Sequence, residues 1–247
     1  MKNFKIGIQL YTLRTKLQDD FTGCLKELAA MGYDGVEFAG NYGGMTPVQL
    51  AEFLQATGLT VCGMHLPLTA IADKDHEAYH YAKAVGCRYL VTSLANDFAL
   101  RLEQNISACI NAAEVAGSQG LCFAYHNHAT EFVRVDGEYA LDKFYSATPA
   151  SLVKAELDSY WIAKGGADPV AYLTQYADRL PLIHLKDMDR ESGDFIEVGN
   201  GTMDLAGILE LAGSSIAEWV IYEQDSCSRP PMECAKISIA NIRKEMS

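Results

Sequence analysis

Four short segments of this 247-residue chain hold the side chains best suited to chemistry. Tyr125-His126-Asn127-His128 runs on into Ala129-Thr130-Glu131-Phe132. The others are Glu156-Leu157-Asp158, His184-Leu185-Lys186-Asp187 and Tyr222-Glu223-Gln224-Asp225. Each places a carboxylate or an imidazole where a short apolar run ends. A histidine among several carboxylates, with no thiolate nearby, suits Mn²⁺, Co²⁺, Mg²⁺ or Zn²⁺ and argues against a structural zinc site. Such a cation acidifies a C–H beside a carbonyl, and a carboxylate or imidazole can then remove the proton. Any one of these residues alone is more often a helix cap or a solvated loop residue. Four in consecutive units imply convergence on one place.

His126 and His128 flank Asn127, and residues two apart on an extended segment point the same way. An unperturbed imidazole titrates near ~6.5, so one of them is a candidate general acid or base. The alternative is that it orients a metal ligand through a hydrogen bond. Lys186 follows His184 by two and should share its side, either to stabilise a developing oxyanion or to pair with Glu156 or Asp187. His65, in GMHLP, is a candidate for contacting substrate hydroxyls or a buried, bonded histidine. Glu37, in GVEFAG, either reaches the substrate or holds a neighbouring group. The Gly199-Asn200-Gly201 loop has backbone N–H groups that would suit phosphate, or it is a plain turn.

Positioning these residues requires short strands alternating with helices, which is the pattern of βαβ units and a parallel sheet. Strands are predicted at Lys5 to Tyr11, Gly35 to Phe38, Leu59 to His65, Tyr89 to Ser93, Leu121 to His126, Val153 to Leu157, Leu182 to Lys186 and Trp219 to Glu223. Between the early ones lie helices over Phe21 to Met31, Pro47 to Ala56 with Thr46 as its cap, Asp75 to Val85 and Leu100 to Ala116. Gly32, Gly58, Gly86 and Gly117 are read as their stops. Eight strands of this kind close a (β/α)8 TIM barrel, and catalytic side chains then sit at the carboxyl ends of the strands. The whole chain, 1–247, is read as one such domain. A doubly wound open sheet would show a glycine-rich turn after its first strand, and the turn here reads TLRTKLQDD.

Apolar residues at 49% and charged residues at 21% describe a chain that buries a large core. A net charge of −12 disfavours nucleic acid as a partner. The seven cysteines are scattered and form no CxxC pair, which suits reduced core thiols. The opening MKNFKIGIQLYTLR holds no apolar stretch of signal or membrane length. A cytoplasmic protein without a membrane partner is expected, with a homo-oligomer left open.

HNHATEF, AELDSYWIAKGGADP, LIHLKDMD, EVGNGTMDL and WVIYEQD, in that order and preceded by GIQLYTLR and GYDGVEFAG, resemble the sugar phosphate isomerase/epimerase family of xylose-isomerase-like barrels. That group is similar to inosose dehydratase, tagatose 3-epimerase and endonuclease IV. The resemblance implies a metal held by Asp158, His184, Glu223 and a carboxylate after strand five. Glu131, the only carboxylate of that segment, is assigned to this role. Catalytic work is expected of Glu131, Glu223, His126, His128 and Lys186, with His65, Trp161 and Glu37 toward a carbohydrate substrate. Trp161, with Tyr160, would give a sugar ring an apolar floor, or is ordinary core. The chain departs from the ketose 3-epimerases, whose strand five resembles EVLNRFE, because Ala124, Tyr125 or His126 stands where they carry a metal-binding glutamate. The implied activity is a metal-dependent isomerase or epimerase, with a lyase or dehydratase on a keto-sugar or inosose as the alternative. Six histidines are few for a multi-metal phosphodiesterase.

Overall fold

In the computed structural model, which describes residues 4–94 and 97–247, eight parallel strands close into a barrel. They are β1 (Lys5–Gln9), β2 (Gly35–Phe38), β3 (Thr60–His65), β4 (Tyr89–Thr92), β5 (Cys122–His126), β6 (Val153–Asp158), β7 (Leu182–Leu185) and β8 (Trp219–Tyr222). Each pairs with its sequence neighbours, and β1 pairs with β8, Ile8 opposite Tyr222, so neither edge of the sheet is left open. All eight predicted strands are present. The first is shorter than expected because Gln9 accepts a hydrogen bond from the Tyr11 backbone N–H and turns Leu10–Leu13 into a 3₁₀ helix.

The first four major helices are α1 (Phe21–Met31), α2 (Pro47–Thr57), α3 (Ala78–Ala84) and α4 (Leu102–Ser118). Asp20 caps α1 and Gly32 ends it at φ +96°, while Thr46 and Gln49 form a reciprocal capping box on α2. Two predicted helix ends shift. Asp73 accepts from the Asp75 N–H in a turn, so α3 begins at Ala78. Gly117 lies inside α4, and the left-handed residue that follows is Gly120, at φ +79°. Beyond β5 come α5 (Ala140–Ala147), α6 (Ser159–Lys164), α7 (Pro169–Gln175), α8 (Leu205–Ser214) and α9 (Pro231–Glu245). Two short antiparallel ribbons, Arg134–Val135 with Glu138–Tyr139 and Asp187–Met188 with Phe195–Ile196, are additions to the plain barrel. Among the described residues no helix is long and apolar enough to cross a membrane.

The strands alternate their side chains between the barrel interior and the surrounding helices. Ile183 and Leu185 of β7, Val220 and Tyr222 of β8, and Phe123 and Tyr125 of β5 belong to the large core under the helices. Leu182, Trp219, Ile221 and Ala124 point the other way and join Cys62, Tyr89 and Val91 in a separate apolar plug. Room for the Trp219 indole comes from Gly35, where a Cβ would lie 2.8 Å from that ring and closer still to the Thr60 carbonyl oxygen. All seven cysteines are free; five are buried and Cys122 and Cys227 are partly so, as core thiols require.

Candidate functional site

Continuing the same alternation upward from the plug places polar residues in the barrel interior. His126, Glu156, Asp158 and His184 take the inward positions of β5, β6 and β7, and Lys186, Glu223 and Asp225 extend the pattern past the strand ends. Register aligns them, with His126 opposite Glu156, Asp158 opposite His184, and His184 opposite Ile221. His126, Asp158, His184 and Glu223 bring potential donor atoms within 4.8 Å of one another, and Glu37, Glu156 and His184 form a second such group. The three residues expected to share an ion, Asp158, His184 and Glu223, are therefore together.

His184 joins the two groups. Its Nδ1 is 3.0 Å from Glu223 Oε2, while its Nε2 is 3.1 Å from Glu156 Oε1 and 3.3 Å from Glu37 Oε2. His126 Nδ1 is 3.0 Å from the same Glu156 oxygen, and its Nε2 is 3.9 Å from Asp158 Oδ2. Lys186 Nζ lies 2.8 Å from Glu223 Oε2, 2.9 Å from Asp225 Oδ2 and 3.1 Å from Asp158 Oδ2.

Burial and neighbouring charge divide these groups. Burial drives the Glu156 carboxyl well above the usual carboxylate range, and the Glu37 charge adds to this. Burial also opposes ionisation of Glu37, but His184 and His65 outweigh it and bring Glu37 down to about 2. The two adjacent carboxyls are thus pushed in opposite directions, Glu37 toward its charged form and Glu156 toward its neutral one. Desolvation raises Asp158 as well. Glu223 is pulled down against its own burial by Lys186 and His184. His184 is pushed up, against burial, by Glu156 and Glu37, whereas His126 is driven down by burial and by the imidazoles around it. His128 is lowered to about 4 by burial and by Lys186.

The donor set fits a divalent cation. Asp158 Oδ2 and Glu156 Oε2 are buried oxygens with no hydrogen-bond partner, a costly arrangement that a cation would relieve. Carboxylate oxygens and imidazole nitrogens without a thiolate are the donors of Zn²⁺ or Mn²⁺ sites that keep an open position. Each imidazole also has a second nitrogen on a carboxylate, His126 on Glu156 and His184 on Glu37 or Glu156, as oriented metal-binding histidines do.

Above the cluster opens a cavity of about 590 Å³, a size that suits one small molecule. His65, His126, His128, Trp161, Lys186, Glu223 and Asp225 line it, with Gln9, Ser93 and Phe195 among the other walls. The paired orientation expected of His126 and His128 is observed, with ring centroids 5.1 Å apart. His65 Nε2 is 3.1 Å from Ser93 Oγ. Trp161 packs against His128 and Phe195, and Tyr160 stacks on Phe195 beneath.

Four expectations are corrected. Glu131 does not join the cluster, because its carboxylate accepts from Tyr125 Oη at 2.8 Å, Thr130 Oγ1 at 2.8 Å and the His128 backbone N–H at 3.1 Å. It lies in the 3₁₀ turn Ala129–Phe132, outside the strand alternation, and fixes the segment carrying His128. His126 occupies the place foreseen for Glu131. Glu37 is fully buried below the cavity and bonds Gln9 Nε2 at 2.5 Å, so it holds side chains and does not line the cavity. Lys186 pairs with Asp158, Glu223 and Asp225, not with Glu156 or Asp187. Lastly, the N–H groups of Gly199 and Gly201 are taken by Asp187 Oδ2 at 2.9 and 3.0 Å, which leaves no phosphate cradle.

Asp187 also accepts from the Met188 and Met203 N–H groups through Oδ1, at 2.8 and 2.9 Å. Replacing it with alanine should strand these donors and cost about 2 kcal/mol, with asparagine recovering part of the loss. Urea denaturation of the two variants tests this, and an unchanged midpoint for alanine would contradict it. The sequence reading gave no role to Gln9, Ser93 or Phe195. Gln9 was within reach, as an inward residue at the end of β1 opposite Glu37. Phe195 was not, because it arrives on the ribbon after β7.

Residues 25–245 match the family described as xylose isomerase-like TIM barrel. An inosose dehydratase of Lactiplantibacillus plantarum is 24% identical over 266 aligned residues, which cover 90% of this chain and 87% of that protein. A sugar phosphate isomerase/epimerase from Parabacteroides distasonis superposes with a TM-score of 0.83 at 23% identity, covering 97% of this chain and 98% of that one. A structure described as the IOLI protein with a binding zinc atom superposes at 0.73 and 16% identity, covering 98% and 96%. At these identities the structural likeness establishes the fold.

Proposed function

We propose that this chain, which belongs to the xylose isomerase-like TIM barrel family, is a divalent-metal-dependent enzyme acting on an unphosphorylated keto-sugar or cyclic polyol ketone. It removes a proton beside the carbonyl and then expels a hydroxyl as water. The observation that carries this reading is the convergence of His126, Asp158, His184 and Glu223 at the floor of a cavity whose walls include His65, His128 and Lys186. The metal, held by those four residues, would polarise the carbonyl and so acidify the neighbouring C–H.

The remaining steps belong to the chain's own side chains. His128, kept neutral, is free to accept the proton and return it to the departing hydroxyl. The Lys186 ammonium, 5.5 Å from the Trp161 ring centroid, supplies positive charge at the cavity wall for the developing oxyanion. Trp161 and Phe195 offer an apolar face to the substrate ring, and the His65–Ser93 pair offers hydrogen bonds to its hydroxyls. Among the described residues Lys186 is the one lysine or arginine lining the cavity, and three carboxylates already surround it. A phosphate group would find Lys186 already engaged by those carboxylates and the Gly199 and Gly201 N–H groups already on Asp187. The similarity to an inosose dehydratase favours loss of water as the outcome. The symmetrical two-carboxylate exchange of a ketose epimerase lacks support, because β3 and β5, which flank the strand opposite β8, bring imidazoles.

The test is proton NMR in D₂O of metal-loaded protein with keto-inositols and ketohexoses. A dehydrated product carrying solvent deuterium is expected. Deuterium in an intact carbon skeleton would assign isomerase or epimerase action instead, and absence of exchange across the panel would refute proton abstraction.

A further inference from the structure

We infer that Lys186 and the divalent cation are alternative occupants of the same two carboxylate oxygens, so that metal loading displaces the ammonium toward the cavity. The inference rests on the metal site proposed above and adds the role of Lys186 in setting its occupancy. Nζ lies 3.1 Å from Asp158 Oδ2 and 2.8 Å from Glu223 Oε2, and both residues belong to the four-residue donor group. A dication bonded to those oxygens would sit beside the ammonium, and like charges at that separation in a buried site repel strongly. The metal-free protein needs some cation there, since its carboxylates are buried, and Lys186, itself 1% exposed, supplies it.

The ammonium is an imperfect substitute. Asp158 Oδ2 has it at 3.1 Å yet still lacks a hydrogen bond, and Glu156 Oε2 has none either. A departing ammonium also has a place to go. Its third partner, Asp225, at 2.9 Å, is outside both donor groups and has a side chain 26% exposed toward the cavity it lines. The Trp161 and Phe195 ring centroids, 5.5 and 5.8 Å from Nζ, flank the same exit. Displacement therefore leaves Lys186 paired to Asp225 in the cavity, where an oxyanion would form. Filling the site and arming the cavity become one event.

Calorimetric titration of EDTA-stripped full-length protein with Mn²⁺ alone provides the test. Lys186→Met should bind Mn²⁺ at least tenfold more tightly than the parent. When stripped it should melt at a lower temperature than the parent, with Mn²⁺ closing the gap. Equal or weaker affinity in the variant overturns the competition while leaving the metal site in place, whereas no binding by either protein overturns both. Should the stripped variant fail to fold, the parent with ¹³Cε-labelled lysine answers the question. The Lys186 signal should shift on saturation with diamagnetic Zn²⁺ and stay put in Asp158→Asn. A stationary signal in the parent overturns the inference.

Discussion

Asparagine at position 158 and glutamine at position 223 are each expected to lower turnover by about a thousandfold or more while the barrel stays folded. Both substitutions keep the shape of the side chain and remove the charge that a divalent ion requires. For Asp158 the fold should tolerate the change, because its Oδ1 caps α6 through the Trp161 N–H at 3.0 Å and an amide oxygen can do the same. Its Oδ2 has no hydrogen-bond partner, and burial already disfavours its charge. A carboxylate kept where it strains the apo fold is a functional residue in the physical sense. Glu223 differs in that it compensates His184 as well as Lys186, so Glu223→Gln should lose more thermal stability than Asp158→Asn. Turnover, metal content by elemental analysis and circular-dichroism melting, measured together, decide the matter. Folded variants with turnover within about tenfold of the parent would rule out the shared-ion reading.

These residues could be read before any coordinates because strands impose a period of two. His184 and Lys186, Glu223 and Asp225, and Glu156 and Asp158 are pairs two apart, and closure of the barrel brings them together as the alternation requires. The readings that failed concern residues outside that rule. Glu131 sits in a 3₁₀ turn whose direction nothing in HNHATEF specifies, and its carboxylate was taken up locally by Tyr125, Thr130 and His128. The Gly199–Gly201 amides looked free because their partner, Asp187, comes from a ribbon too short to carry a pattern. The two helices between β6 and β7, α6 and α7, are brief and separated by Gly165, Gly166 and Pro169, so their spacing never accumulates over several turns. Glu37 was seen to point inward, but whether it met substrate or scaffold depended on its depth. Depth is set by barrel closure and by the register shift between Val36 and Glu37 in the β2–β3 pairing.

That depth makes Glu37 the residue whose replacement should do most damage without touching substrate. Its Oε2 faces His184 Nε2 at 3.3 Å, its Oε1 takes the Gln9 amide, and His65 Nδ1 lies 3.6 Å from it. Gly63 leaves it space, since a Cβ there would come within 3.1 Å of Oε2. A negative charge behind a metal-binding imidazole fixes the ring and strengthens its other nitrogen as a donor, and losing such a partner costs about 10 to 100-fold in metal affinity. For Glu37→Gln the upper end, about a hundredfold, is expected, with kcat falling and KM nearly unchanged because Glu37 does not line the cavity. Glu156 supports the same ring, with Oε1 3.1 Å from His184 Nε2, and burial together with the Glu37 charge favours its neutral form. Without Glu37, Glu156 can take over part of the compensation for His184. Glu37→Gln combined with Glu156→Gln should therefore lose more metal affinity than the two single losses multiplied together. Calorimetry on all four proteins closes this double-mutant cycle. Strict additivity, or unchanged affinity in Glu37→Gln alone, would show that the buried carboxyl pair does not govern the imidazole.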